Sequence, residues 1–354
     1  MNIEAMIKPE EKAAAQYGTG TFSMSVLGHG LIHRTYLVEY NGHEQPLVLQ
    51  CLNQNTFPQP ENIIRNYITV YNHLIRKSGT ATIPELALTL TGKLFYIDED
   101  GNFWRATKYL AESFTLNTPE NAWQVRSAAV EFGTLTFNLS DLDTNTLDVV
   151  LPSFHDLTFR VAQFEQSVKQ AGLMRSMRAT HVIAELRART YLHRFYNDVV
   201  NTPQSFRKRV MHHDAKLSNV LFDKTSGRAF GIVDLDTTMP GYFFSDVGDM
   251  IRTMAATRDE NSMEWEHINV NGELYRAIVE GYAESLQGEL TAAELDSINY
   301  SGLVLTYMQS MRFVTDFLNN DIYYKTISPD QNLNRALNQL ILLEKLEEFT
   351  GISA

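Results

Sequence analysis

Asp214, Asn219 and Asp234 are the residues whose types and spacing could do chemistry. The first two stand in His212-His213-Asp214-Ala215-Lys216-Leu217-Ser218-Asn219, which fits the pattern H-x-D-x-x-x-x-N. In that pattern the aspartate accepts the proton of an attacking hydroxyl, and the asparagine further along the loop holds a magnesium ion, as phosphoryl transfer requires. Asp234 follows at the end of the apolar run Phe230 to Val233, where a second carboxylate could bind the ions that bridge nucleotide phosphates. A pattern this short recurs by chance, and Asp or Asn in loops commonly serve turns. The context adds weight. Asn219 to Asp223 and Ala229 to Asp234 read as two short strands, and Lys224-Thr225-Ser226-Gly227-Arg228 between them has hairpin chemistry. A hairpin there would bring Asn219 and Asp234 side by side.

The neighbours of these residues have other readings. His212 and His213 precede an aspartate and so suggest zinc, but adjacent side chains in an extended loop point apart, and no further Cys or His cluster completes a coordination shell. His212 reads as a loop anchor held by hydrogen bonds. Asp236 is expected beside the metal ligands, and Ser245-Asp246 resembles a helix cap in which Asp246 braces the catalytic loop.

The elements that must position these residues change character along the chain. Strands are expected at Phe22 to Leu27, His33 to Tyr40, Gln45 to Gln50, Leu94 to Ile97 and Phe103 to Tyr109, with Asn41-Gly42 and Asp100-Gly101 as turns. One helix interrupts them, Glu61 to Lys77, with apolar residues at helical spacing. Beyond Ala111 helices are expected at Pro119 to Leu139, Phe154 to Ala171, Met177 to Val199, Asp246 to Thr257, Gly272 to Leu286, Ala293 to Asn319 and Asn332 to Phe349. This predicts an α+β, bilobal, protein-kinase-like fold. A β-rich nucleotide-binding lobe over residues 1–110 would carry a small antiparallel sheet, and 111–354 would form a mainly helical catalytic and substrate-binding lobe, with nucleotide between them.

Composition narrows the partners. The 354 residues are 44% hydrophobic and 20% charged, ordinary for globular protein, and their formal charge of −12 argues against nucleic acid, which is bound by clustered Lys and Arg. With a single cysteine, Cys51, no secretory signal pattern and no apolar run of membrane-spanning length, the expected location is the cytoplasm, with no membrane partner. Oligomeric state is left open.

Val26-Leu27-Gly28-His29-Gly30-Leu31-Ile32-His33 lies between the first two strands. Gly28 and Gly30 would let backbone amides approach phosphates, although two glycines in a hairpin also make an ordinary turn. The third glycine of the protein-kinase pattern G-x-G-x-x-G is replaced by His33. A second departure lies in Leu47-Val48-Leu49-Gln50. Kinases of this plan usually end that strand with a lysine on the phosphates, whereas a glutamine donates a hydrogen bond without charge. Either another cation compensates or nucleotide binding is altered.

At these residues the chain resembles the aminoglycoside phosphotransferase and choline kinase-like superfamily, and within it the N-acetylhexosamine 1-kinase group. The resemblance covers most of the chain. It rests on the Gly30 to Tyr36 loop, Val48-Leu49-Gln50-Cys51-Leu52-Asn53, Leu151-Pro152-Ser153-Phe154-His155-Asp156, the His212 to Asn219 loop and Val233 to Gly241. It implies that glutamine is familiar in place of the lysine. It also implies that Met311 to Tyr324 holds the sugar, with Arg312 and Tyr323 in contact with it; without the resemblance, Arg312 would equally read as a salt-bridged helix residue and Tyr323 as core. His155 and Asp156 begin a helix, where Asp156 could cap it.

Together these readings imply a kinase that uses ATP and Mg2+ to phosphorylate a small-molecule sugar, most directly the anomeric hydroxyl of an N-acetylhexosamine. Asp214 would be catalytic. Gly28, Gly30, Gln50, Asn219 and Asp234 would bind the cofactor, with Asn219 and Asp234 on the metal. The alternatives are a kinase of another small alcohol (aminoglycoside, choline, homoserine or thiosugar), a weakly active nucleotide-binding regulator, and a metallohydrolase built on His212, His213 and Asp214.

Overall fold

In the computed structural model, which describes residues 8–28, 32–42, 45–286 and 288–353, the chain begins with elements α1 (Pro9–Ala14), β1 (Phe22–Val26), β2 (Arg34–Tyr40), β3 (Leu47–Leu52), α2 (Pro60–Ser78), β4 (Tyr96–Ile97) and β5 (Phe103–Lys108). The five strands form one antiparallel sheet in the order β1-β2-β3-β5-β4. Side chains alternate across a strand, so the register Thr35↔Gln50↔Arg105 puts these three residues in one row on one face. The other face carries Cys51, Leu49, Trp104 and Ala106, which pack with Ala13, Ala14 and Tyr17 of the amino-terminal segment into a small core. Helix α1 was not expected from the sequence. It starts with proline at its first turn, and Tyr40 donates through its hydroxyl to the Ala14 carbonyl at 2.6 Å.

The rest of the chain adds β6 (Ser113–Phe114), α3 (Ala122–Asn138), α4 (Leu157–Gln170), α5 (Leu173–Arg178), α6 (Thr180–Ala188), α7 (Thr190–Asn201), β7 (Arg209–Met211), β8 (Val220–Asp223), β9 (Ala229–Ile232), β10 (Met239–Gly241), α8 (Phe244–Met254), α9 (Gly272–Ser285), α10 (Ala292–Asp296), α11 (Tyr300–Leu318) and α12 (Gln331–Thr350). This is the expected mixed α+β architecture. The anticipated hairpin is β8–β9, joined by β6 in a three-stranded sheet, while β7 and β10 form a separate pair. Buried α11 lies at the centre of the helical region and packs against α4, α8 and α12. Gly248 and Gly302 allow α8 and α11 to come close: a Cβ on the first would collide with the Ser301 carbonyl, and one on the second with Ile251.

Two expected helices are broken. The segment expected from Met177 to Val199 is divided at Ala179 and Arg189. Arg189 leaves helical geometry at φ −96°, ψ 39° and sends its guanidinium to both oxygens of Glu347 at 2.9 and 3.0 Å and to Glu185 at 2.8 Å. The segment expected from Ala293 to Asn319 is interrupted at Ser297, whose hydroxyl donates back to the Ala293 carbonyl at 2.5 Å, the local competition with the backbone that disfavours serine inside helices. Asn121 and Asp156 cap α3 and α4 by accepting from the amides of Gln124 and Phe159, each at 3.0 Å.

A buried ion pair fixes β7, the strand that leads into the Asp214 loop. Arg209 donates to both oxygens of Glu294 at 2.6 and 2.9 Å, and the same carboxylate accepts from the amides of Arg207 and Thr291 at 3.0 and 2.8 Å. Removing one partner of such a pair leaves an uncompensated buried charge. Glu294→Ala is therefore expected to cost about 3–5 kcal/mol of stability, measurable as a lower urea midpoint at an unchanged slope.

Candidate active site

The Asp214 loop is held by one carboxylate. Asp246, in the first turn of α8, accepts from the amides of His212 at 3.0 Å and His213 at 2.8 Å. Its expected bracing role follows this geometry, but it works outward on the loop and does not cap its own helix. Burial pushes its carboxyl up, and His212 and the two amides oppose that shift. His212 is fully engaged. Nδ1 accepts from the Asp214 amide at 3.3 Å, so the ring hydrogen sits on Nε2 and is donated to the Val233 carbonyl at 3.1 Å. With both nitrogens used by backbone, no ligand atom of His212 remains for the zinc site considered above. Ser153, His213 and Asp234 are non-glycine residues at φ 57°, 65° and 64°, a costly conformation that clusters at functional sites.

Among the described residues, Asp214 accepts through one oxygen only. Lys216 Nζ and Asn219 Nδ2 both donate to Oδ2, at 2.9 and 3.0 Å, leaving Oδ1 open. Burial works against the charged carboxylate, but Lys216, His212 and Asn219 outweigh it and hold the group below the usual range. Asn219 also donates to the Asp214 carbonyl at 2.9 Å, which turns its Oδ1 away from Asp214. The open end of the β8–β9 hairpin brings Asn219 next to Asp234, because the Val233 amide donates to the Asn219 carbonyl at 2.9 Å.

Asp234 has neither a hydrogen bond nor an ion pair among the described residues. Burial, and then the charges of Asp236 and Asp214, push its carboxyl up. A carboxylate crowded by like charges beside a free amide oxygen offers the hard donors that Mg2+ takes, and the set fits that ion. His33, Asp234 and Asp236 also bring one ligand atom each within 4.8 Å of one another. However, His33 Nε2 and Asp236 Oδ2 already meet at 2.8 Å, and Arg105 Nη2 lies 2.6 Å from Asp236 Oδ1, so Asp234 supplies the free oxygens.

Gly28, two residues past β1, takes φ +73°, while Gly30 lies outside the described residues. His33, in the place of the third glycine, is itself held at both ring nitrogens. Its Nδ1 accepts from the Asn53 amide at 3.0 Å and its Nε2–H meets Asp236. Gln50 points from β3 on the same face as Arg105. Its Oε1 accepts from Arg105 Nε at 3.0 Å and Nη2 at 2.8 Å, and its Nε2 makes one long bond of 3.4 Å to Thr35 Oγ1. Burial works against ionised Asp236, but Arg105 and His33 bring its carboxyl down to about 2.

On the other side of Asp214, the structure gathers aromatic rings and cations. His213 Nδ1 lies 3.3 Å from His155 Nδ1, and Phe154 stacks on His155 at 4.6 Å. Arg312 lies 4.9 Å over the Phe154 ring and 5.9 Å over Tyr323, so the two residues expected to hold the substrate are together. Arg160 donates to the Phe154 carbonyl at 3.1 Å; burial, and then the charge of Arg312, lower it to about 10. Burial and His212 pull His213 down to about 4, and burial with His213 and the two arginines pulls His155 down as well. Gly241 leaves room for this pair, since a Cβ there would strike the His213 ring.

Sequence reasoning missed Lys216, Arg105 and Arg160. Lys216 lay within the quoted loop, two residues from Asp214, and a cation so placed was a usable signal. Arg105 had none, because only strand register sets it beside Gln50. Arg160, on exposed-looking helical sequence, was equally silent.

The family model described as the phosphotransferase enzyme family matches residues 23–290. Among solved structures, a microcompartment-associated aminopropanol kinase is similar over 97% of this chain and 98% of its own, at 17% identity and TM-score 0.66. An aminoglycoside phosphotransferase from Alicyclobacillus acidocaldarius subsp. acidocaldarius matches over 98% and 96%, at 12% identity and TM-score 0.61. A choline/ethanolamine kinase family protein from Mesorhizobium loti matches over 96% and 91%, at 16% identity and TM-score 0.54. Such identities carry the fold, and the family match carries the class of chemistry: the chain belongs to the phosphotransferase enzyme family and is an ATP- and divalent-metal-dependent phosphotransferase acting on an alcohol.

Proposed function

We propose that the acceptor is a neutral sugar, in first place the anomeric hydroxyl of an N-acetylhexosamine. One observation carries this reading, the sign of the charge beside Asp214. Arg312 and Arg160 have no carboxylate partner among the described residues. Arg312 donates to Gln309 at 3.0 Å and Arg160 to Gln163 at 3.1 Å. The carboxylates nearby are already committed. Asp156 caps α4, Asp249 and Glu260 take Arg252 and Arg335, and Asp316 accepts from the amides of Ile322, Tyr323 and Tyr324. An arginine donates well to hydroxyl and acetamido oxygens, and the half-exposed Tyr323 ring offers a flat face to a pyranose. An amino alcohol, such as the substrate named for the aminopropanol kinase, would meet two cations and no spare carboxylate.

In this reading Asp214 Oδ1 accepts the hydrogen bond of the acceptor hydroxyl. A carboxylate below its usual range orients the nucleophile and takes the proton late, as suits a loose, metaphosphate-like transition state. The acceptor oxygen forms its bond to the γ-phosphorus, the bond from that phosphorus to the bridging oxygen breaks, and ADP leaves. Asn219 Oδ1 and Asp234 would hold the metal, which would supply positive charge against the phosphate oxygens. Among the described residues no helix is long and apolar enough to cross a membrane. A cytoplasmic location belongs to the proposal too, supported by a lone free thiol at Cys51 and a need for ATP.

With Mg-ATP and a panel of N-acetylglucosamine, N-acetylgalactosamine, galactose, choline, ethanolamine and homoserine, an N-acetylhexosamine 1-phosphate is expected by mass and phosphorus NMR. Amine products in place of sugar phosphate would overturn the proposal. Asp214→Asn is expected to lower kcat about 10²–10⁴-fold, with ATP affinity little changed. Arg312→Ala should raise the sugar KM about tenfold or more, from the loss of charge-assisted hydrogen bonds, while the KM for ATP stays within about twofold.

A further inference from the structure

We propose that Arg105, itself paired with Asp236, orients and polarises Gln50 so that the Gln50 amide donates to the nucleotide phosphates in the place of a lysine at the end of β3. Gln50 Oε1 receives two N–H groups from Arg105, which fixes the orientation of the amide. The NH2 group therefore faces away from the guanidinium. One of its hydrogens makes the long bond to Thr35, and the other has no acceptor among the described residues. Gln50 is half-buried where Arg105 is only 2% exposed, so the amide forms the surface and the charge lies behind it.

The guanidinium is not fully used by its partners. Nη1 is buried without a hydrogen bond, while Nη2 is shared between Gln50 and Asp236. An amide whose oxygen accepts from a cation is polarised so that its N–H donates more strongly. Asp236 keeps Arg105 in place and, with His33, ties that strand to the loop that carries Asp234. Arg105 is thus a positioning residue and Gln50 the donor that meets the phosphate. A lysine on β3 beside Arg105 would place two cations in one buried row, so the glutamine and the arginine form one device split over two strands.

The test uses the full-length protein and ligands that need no acceptor, so its result is independent of the identity of the sugar. Binding of ADP and of adenosine is measured by calorimetry in EDTA, which removes any effect acting through the metal. Arg105→Gln is expected to weaken ADP about tenfold or more, with adenosine changed less than about twofold. Because that variant leaves Asp236 without its cation and could unfold, Gln50→Glu is tested as well. It keeps an acceptor for Arg105 but has no N–H, and the same selective loss of ADP is expected. Gln50→Lys in the Arg105→Gln background should recover ADP binding. ADP affinity that survives Gln50→Glu, or equal losses for ADP and adenosine, would overturn the proposal.

Discussion

Asp236 is a carboxylate almost without solvent, and the geometry of the cleft depends on how its charge is matched. Leaving one ionised carboxylate unpaired in such a place would be prohibitive. Arg105 from β5 and His33 from the loop after β1 both reach it, at 2.6 and 2.8 Å, and so fasten the five-stranded sheet to the segment that follows β9. The same contacts set the orientation of Gln50 on one side and leave Asp234 as the uncommitted carboxylate on the other. Gln50 and Asp234, the side chains proposed to meet phosphate and metal, are held in register by the need to neutralise one buried group. The departures from the protein-kinase pattern at His33 and Gln50 then belong together, joined through Arg105 and Asp236.

The opposite wall of the cleft follows the same logic with backbone partners. Asp246 satisfies two consecutive amides of a loop that His213 enters at positive φ, and His212 bonds the next amide and the Val233 carbonyl. A strained loop persists only when its surroundings over-determine it. Here α8 does so, held close to α11 by paired glycines, while β7 is pinned by Arg209 and Glu294. Asp214 emerges from this frame with one oxygen occupied and one free.

The proposed acceptor rests on charge, not on motif. One fold can host different acceptors through what stands across from its phosphate machinery. In this chain the acidic side chains around Arg312 and Arg160 are spent on capping, on Arg252 and Arg335, and on the turn after α11. What remains is a wall of rings, neutral histidines and arginines, although the whole chain carries a formal charge of −12. Overall charge therefore says nothing about the sign of the charge around Arg312 and Arg160.

The sequence alone determined what depends on neighbours in the chain. The spacing of Asp214 and Asn219, the β8–β9 hairpin, the cap at Asp156 and most helices follow from turn chemistry, short-range hydrogen bonding and the 3.6-residue period, all local. It placed Arg312 and Tyr323 in one segment only by resemblance. Tertiary structure decided the rest. Arg105 lies 55 residues from Gln50, and Arg189 breaks a helix to reach Glu347, 158 residues away. Such partners are selected by strand register and by the cost of burying unpaired charge, and both exist only once distant segments have packed together. The cation behind Gln50 and the charge gathered around Arg312 were therefore outside the reach of local pattern and inside that of the fold.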